Sequence, residues 1–474
     1  MTISSTLLTA TLTASALLAQ APGPPVLVHL YPAAIDASGQ PVTDLTAADF
    51  KIADENKPES VYFFRKPDTA APAPLAPLER ANRLVAGPHT MVILFDMLNM
   101  NQADRLETWK AFDKNMPQMD SGENVYFYVM NLEGTLIPIH AFGPKSDDDK
   151  TWPKNVAPLL DKVMKAASVA RPVQVGQEDM VKKTYKALED LSAQLAEYPG
   201  RHDIIWVTNG IQNVYNTKHP CNGDWVECAL YVPHLGFTLD KNATAVNPLC
   251  YSSDLSPDVN RDLGEMARLT GGHAYFREDV QAVVKEVGLP AANSYLVDYE
   301  PAADNWDNKW HVIHITCERK GVKLQVRERY YALPDSRQPL DRLRAPIIAA
   351  LQSPTDIAQI GLRTKFSPIG GGKPGVHLAM QIDPADILLR EDGGKYKGLL
   401  FLLISDRNAS GPIGQPAQVP LSPELTGEQR DMLMKAGAIP LEQDHPTADA
   451  TQFVRLILVD ANTGALGSLT IPVK

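Results

Sequence analysis

Residues His89 to Asn99 read HTMVILFDMLN. Val92, Ile93, Leu94 and Phe95 form an uninterrupted apolar run, which is what a strand covered on both faces requires. The run stops at Asp96, and Asn99 follows three residues later. Open α/β sheets bind ligands in the crevice outside the carboxyl ends of their strands, so a carboxylate placed there is a candidate site residue. Asp203 to Asn213 (DIIWVTNGIQN) repeats the form, with an apolar strand followed by Thr208, Asn209 and Gly210. Leu263 to Arg277 (LGEMARLTGGHAYFR) reads as an amphipathic helix, a Gly-Gly stop and a short strand.

Strands and helices alternate from 83 to 290, which predicts a mostly parallel sheet with helices on both faces. A helix is expected over Gln102–Asn115, with Leu106, Trp109 and Phe112 as its core stripe. A second covers Trp152–Lys165. A third, Glu178–Glu197, presents Val181, Tyr185, Leu188, Leu191 and Leu195 on one face, and a fourth covers Asn260–Thr270. Further strands are expected at Asn124–Met130, Leu136–Phe142, Ile204–Val207, Thr244–Tyr251 and Ala274–Phe276.

In order and spacing these pieces resemble a von Willebrand factor type A domain, and most closely the A-domain-related proteins of acidobacteria. The segment PVTDLTAADFKIADENKPESVYFF and the ending RLILVDANTGALGSLTIPV resemble the same family. The resemblance implies a Rossmann-like α/β domain with flanking antiparallel β-sandwich modules. It also implies a divalent-cation site at the carboxyl edge of the sheet, used to dock a protein partner. The family pattern there is Asp-x-Ser-x-Ser, a Thr from a second loop and a later Asp. Asp96 matches the first position; Leu98 and Met100 stand at the two Ser positions and offer no oxygen; Asn209 stands at the later Asp; VQVGQED supplies no evident Thr. Asp96, Asn99 and Asn209 are therefore a degenerate candidate set, holding Mg²⁺ weakly or not at all. The competing reading gives Asp96 and Asn99 a structural task, since short polar side chains cap backbone N–H groups at turns.

A chain of 474 residues exceeds one core. The reading divides it into an export signal (1–21), an N-terminal β segment with a Pro/Ala linker (22–82), the A-like domain (83–290), strands completing a sandwich with 25–66 (291–334), a connector (335–360) and a C-terminal β-sandwich (361–474). The connector contains a short helix, PLDRLRAPIIAALQ, and a helical insert over Ser422–Ala436 places Leu425, Met432 and Leu433 on one side. The uncharged run Leu7–Ala19 before Ala19-Gln20-Ala21 reads as an export signal, which predicts a secreted, periplasmic or envelope location. No later run is long enough to span a bilayer. Cys221 and Cys228 are a disulfide candidate, with a tetrahedral zinc set of His219, Cys221, Cys228 and His234 as the alternative. Cys250 and Cys317 read as buried thiols. Asn242-Ala243-Thr244 forms a sequon.

Lys+Arg 45 against Asp+Glu 56 gives a net charge of -11 with no basic cluster, which argues against a nucleic-acid partner. HExxH, P-loop and GxSxG motifs are absent from the sequence. His311 and His314 alternate on a strand and point to opposite faces, so they cannot share a metal. Trp306 and Trp310 read as cover for a sheet edge. The expectation is a non-enzymatic protein-binding protein. A metal-independent scaffold of an envelope complex is the alternative, and an exported hydrolase the more distant one. The partner and the oligomeric state are not encoded in any recognisable motif.

Overall fold

The computed structural model describes residues 24–68, 73–83, 89–115, 125–142, 158–163, 177–196, 200–211, 234–252, 257–337, 339–353, 355–370 and 374–473, with single residues 154, 165 and 198. The export segment, the Cys221–Cys228 loop and most of VQVGQED lie outside them. The chain forms two compact units, one of Leu27–Ala71 with Val85–Asp335, the other of Met1–Val26, Pro72–Leu84 and Ser336–Lys474.

The first unit is built around a six-stranded sheet. Its strands are β1 (Thr90–Asp96), β2 (Val125–Met130), β3 (Leu136–His140), β4 (His202–Val207), β5 (Thr244–Cys250) and β6 (Tyr275–Phe276), in the order β6-β5-β4-β1-β2-β3. All neighbours pair parallel except β2 and β3. Every residue of β1, β2, β4 and β5 is buried, as uninterrupted apolar runs demand. Helices α1 (Gln102–Asn115) and α4 (Val280–Ala292) cover one face. Helices α2 (Gln177–Leu195) and α3 (Pro257–Thr270) and the helical residues 234–241 cover the other.

Val181, Tyr185, Leu188, Leu191 and Leu195 of α2 are all buried. The stripe expected on α1 needs correction, because Trp109 and Phe112 are buried but Leu106 is 50% exposed. Each i+3 step falls about 60° short of a full turn, so Leu106 and Phe112 lie about 120° apart on the helix. Phe112 meets Phe95 and Phe127 edge-on at 6.0 and 5.8 Å. Helix α4 was not anticipated. Asp279 caps it by accepting from the N–H groups of Gln281 and Ala282, and Val280, Val283, Val287 and Ala291 are buried. The Gly-Gly stop after α3 allows close approach to β5: a Cβ on Gly272 would lie 2.1 Å from the Val246 carbonyl oxygen.

Strands on either side of this segment in sequence pair into antiparallel sheets of the same unit. Leu296–Tyr299 lies between Val28–Leu30 and Val61–Arg65, and Trp310–Cys317 lies between Phe50–Asp54 and Arg329–Tyr331. Their core gathers Leu30, Leu45, Phe50, Tyr295, Val297 and Ile313 among others. Asp54 is fully buried there and accepts from Tyr330 Oη (2.7 Å), Tyr299 Oη (3.3 Å) and Asn305 Nδ2 (3.2 Å), while His311 Nδ1 lies 3.0 Å away. His311 is buried and His314 exposed. Trp306 meets Tyr330, and Trp310 meets Tyr331, edge-on.

The second unit is antiparallel. One sheet runs Ile439–Pro446, Gly375–Ile382, β7 (Leu362–Pro368), Glu79–Ala81; another runs Gly411–Leu421, Leu400–Asn408, Phe453–Asp460, Leu466–Pro472. The short helix read in the connector is present as α5 (Pro339–Gln352), and it buries Leu343, Ile347 and Ala350 against Phe401, Leu403, Ile457 and Val459. Glu79–Ala81, just past the Pro/Ala-rich stretch Lys66–Leu78 and not read as a strand from sequence, pairs with β7. In the expected helical insert, Leu425 belongs to a strand, the helix begins at Gly427, and Met432 is 56% exposed. Among the described residues no helix is long and apolar enough to cross a membrane.

Candidate functional site

The strand order β4-β1-β2 means that the chain leaves β1 toward one side of the sheet and later returns to the other. That reversal is a topological switch point, where the loops after β1 and β4 part and leave a crevice. Asp96 is the last residue of β1. Thr208 and Asn209 follow β4, whose Val207 pairs with Phe95. The residues singled out in sequence therefore stand on one edge of the sheet.

Asp96 is completely buried. Its Oδ1 accepts from the Asn99 backbone N–H at 3.0 Å. Its Oδ2 accepts from Asn99 Nδ2 (2.7 Å), Thr208 Oγ1 (2.9 Å) and Trp206 Nε1 (3.0 Å). Burial pushes the Asp96 carboxyl up from its ordinary value, and the bonds from Asn99, Thr208 and Trp206 oppose that push. Asn99 Nδ2 also donates to Thr184 Oγ1 of α2, and Thr208 Oγ1 accepts from Gly210 N–H. The carboxylate thus knits β1, its following turn, β4 and α2 at one point.

Asn209 turns away from this group. Its Nδ2 donates to Asp104 Oδ2 on the first turn of α1 at 2.7 Å, and its Oδ1 accepts from Cys250 Sγ at 3.4 Å. Burial pushes the Cys250 thiol up to about 11, so it is a weak nucleophile at neutral pH. The structure joins Asp96 to Asn99 directly and leaves Asn209 beside them in a separate contact. Sequence reading missed Trp206, Thr184 and Asp104 and noted Thr208 without giving it a role. Thr208 carried the one available signal, a hydroxyl at the tip of an apolar strand.

A hard cation needs several oxygens whose lone pairs face a common point. Here four N–H and O–H donors face Asp96, and the Asn99 side chain presents its amide nitrogen to the carboxylate. Asn99 Oδ1 is buried without a protein partner, and a lone amide oxygen does not make a cation site. The donor set does not fit Mg²⁺. Among the described residues, no three His, Cys, Asp or Glu side chains gather in a metal-binding group. His234, one of the four residues of the zinc alternative, is largely exposed near Glu189. Cys250 and Cys317 are free thiols; Cys250 is buried as expected, whereas Cys317, at the end of its strand, is only partly so. In the sequon, Asn242 Nδ2 donates to Ser192 Oγ and Thr244 is buried, so the site is turned inward.

The opposite edge of the sheet carries a second buried polar group. Asp203 accepts from Arg201 and from Asn247 Nδ2 and pairs with His89 Nε2 at 3.1 Å. Arg201 Nη2 donates to the Gly271 carbonyl and Asn247 Oδ1 accepts from His273 N–H, which fixes the Gly-Gly turn to the strand starts.

No family model and no curated protein matches the chain. Among solved structures, homoserine dehydrogenase from S. aureus at pH 7.0 aligns at 10% identity over 76% of this chain and 99% of that one, with a TM-score of 0.16. A likeness of that size carries no argument about fold or activity.

Proposed function

We propose that the chain is an exported, non-enzymatic protein-interaction protein built on a von Willebrand A-type module whose docking edge works without a cation. The observation carrying this reading is the saturation of Asp96 by four protein donors. An adhesion site of the metal-dependent kind keeps its carboxylate oxygens open to an ion, and a partner's carboxylate completes the coordination. A carboxylate consumed by internal donors fixes loop shape instead. The reading of a metal-independent scaffold in an envelope complex therefore gains over the metal-dependent one. The family resemblance and the export-like leader support partner binding and location. Fold-level analogy supplies the function class, and the site supplies its metal independence.

The test follows thermal unfolding during titration with Mg²⁺ and Mn²⁺, alongside cross-linking of the exported chain in intact cells with and without EDTA. A ligand that binds only the folded state raises the midpoint. The expected result is an unchanged midpoint at millimolar metal and the same cross-linked partner in EDTA. A metal-dependent rise that disappears in Asp96→Ala, or loss of the partner in EDTA, sinks the proposal.

A further inference from the structure

Residues 73–83 (APLAPLERANR) carry more specific contacts than a linker needs. Glu79–Ala81 pairs antiparallel with β7, and Phe366 N–H donates to the Leu78 carbonyl at 2.9 Å. Arg363 grips Glu79 with two bonds, Nε to Oε1 and Nη2 to Oε2, both 2.7 Å. The same guanidinium donates to the carbonyls of Ala73 and Pro74. Asn82 exchanges bonds with Leu362 N–H and the carbonyls of Ile357 and Ile360. Arg83 donates to the carbonyls of Ala358 and Gln359, and its Nη1 lies 2.8 Å from Asp386. Gly361 leaves the room for it: a Cβ there would come within 3.0 Å of Arg83 Nη1.

Burial sets this segment apart from the other strands of the sheet. Not one residue from 73 to 83 is buried, and Leu75 and Leu78 are 38% and 55% exposed. A core strand is held by one apolar face, whereas this one is held by main-chain pairing and by a carboxylate and a guanidinium four residues apart. That is how a sheet edge holds an extended peptide. Each such hydrogen bond contributes about 1 kcal/mol net, and contacts without apolar burial open at low cost.

We propose that the outer edge of β7 is a strand-docking site, filled in cis by residues 73–83. It selects an extended peptide with Glu opposite Lys365, where the Arg363 guanidinium reaches it from two positions along the strand, and Asn-Arg three and four residues further on. The same chemistry presented in trans competes for the edge.

The experiment uses the full chain with protease sites inserted after residues 70 and 85, together with a fluorescent synthetic peptide of residues 73–83. After cleavage the segment is expected to co-elute with the chain and to exchange with the peptide in a saturable manner. A peptide carrying Glu79→Lys or Arg83→Ala binds at least about tenfold more weakly, or about 1.4 kcal/mol. Loss of the segment on cleavage from a chain that stays folded by circular dichroism, with no peptide binding, overturns the proposal. Equal binding of wild-type and Glu79→Lys peptides also overturns it. If the nicked chain unfolds, the uncut chain carrying Glu79→Ala, Asn82→Ala and Arg83→Ala takes its place. It must bind the wild-type peptide more tightly than the parent chain, whose edge is already filled in cis, and failure there overturns the proposal equally.

Discussion

Replacing Asp96 by alanine separates a structural carboxylate from a metal ligand. Four donors converge on it, and they differ in what they can do once it is gone. Asn99 Nδ2 keeps Thr184 Oγ1 as an acceptor, and the Thr208 O–H, which loses its acceptor while its oxygen still accepts from Gly210, is a rotor that can turn. Trp206 Nε1 and the Asn99 backbone N–H keep no acceptor, and Trp206 is 2% exposed, so water does not replace the lost partner without rearrangement. Two stranded donors cost about 1–3 kcal/mol each. Relief of the buried charge, whose pKa is raised by desolvation, offsets part of this. The expected loss is about 2–4 kcal/mol, which for a unit of roughly 300 residues lowers the midpoint by about 3–6 °C. Calorimetric melts in EDTA and in millimolar Mg²⁺ should show the same drop. A carboxylate held open for an ion is unfavourable when the ion is removed, and its replacement then costs nothing. An Asp96→Ala chain as stable as the parent in EDTA would refute the assignment of this carboxylate as an internal tie.

Gly272→Ala drives a methyl into the Val246 carbonyl, 2.1 Å from the ideal Cβ; α3 must move from β5, and a loss of about 3 kcal/mol or more by chemical denaturation is expected. Asp54→Ala strands the hydroxyls of Tyr299 and Tyr330 and the Asn305 amide inside the antiparallel core, and it should cost about 3–5 kcal/mol in the same assay; a change under about 1 kcal/mol would show that water reaches these groups. Arg363 beside Glu79 holds its carboxyl down to about 2. A depressed folded-state value means that this contribution is complete above the ordinary Glu range and is lost as pH falls from about 4.5 toward 2. The protection of the Phe366 amide, measured relative to its intrinsic exchange rate, should therefore fall over that window, and Glu79→Gln should remove the pH dependence of that protection.

The elements legible in sequence were those whose burial is periodic. Met91–Phe95 and Ile204–Val207 are covered on both faces, so every position is apolar and the strand is recognisable from composition alone. Helix α2 repeats its buried side chains over five turns. Helix α4 has the same kind of signal in Val280, Val283 and Val287, but it is short, and Pro290 in its last turn obscures it. The strand Glu79–Ala81 could not be read in this way. Its side chains are not buried, and its fixing groups, Arg363 and Asp386, lie far along the chain.

The site divides along the same line. Asp96 was visible because a carboxylate breaks an apolar run at a place that topology makes special. Trp206 was invisible as a site residue because it sits inside such a run, where a large aromatic reads as core. It is core: it joins Leu188, Leu263 and Met266 on the α2 and α3 face. Its indole N–H is nevertheless the donor that turns Asp96 inward. The ring's apolar body is fixed by packing, so the direction of its one polar group is fixed as well. The character of this sheet edge thus follows from a residue chosen for the interior, and Leu98 and Met100 after β1 offer it no oxygen. With the carboxylate already satisfied, those positions are free to be apolar, and both are buried.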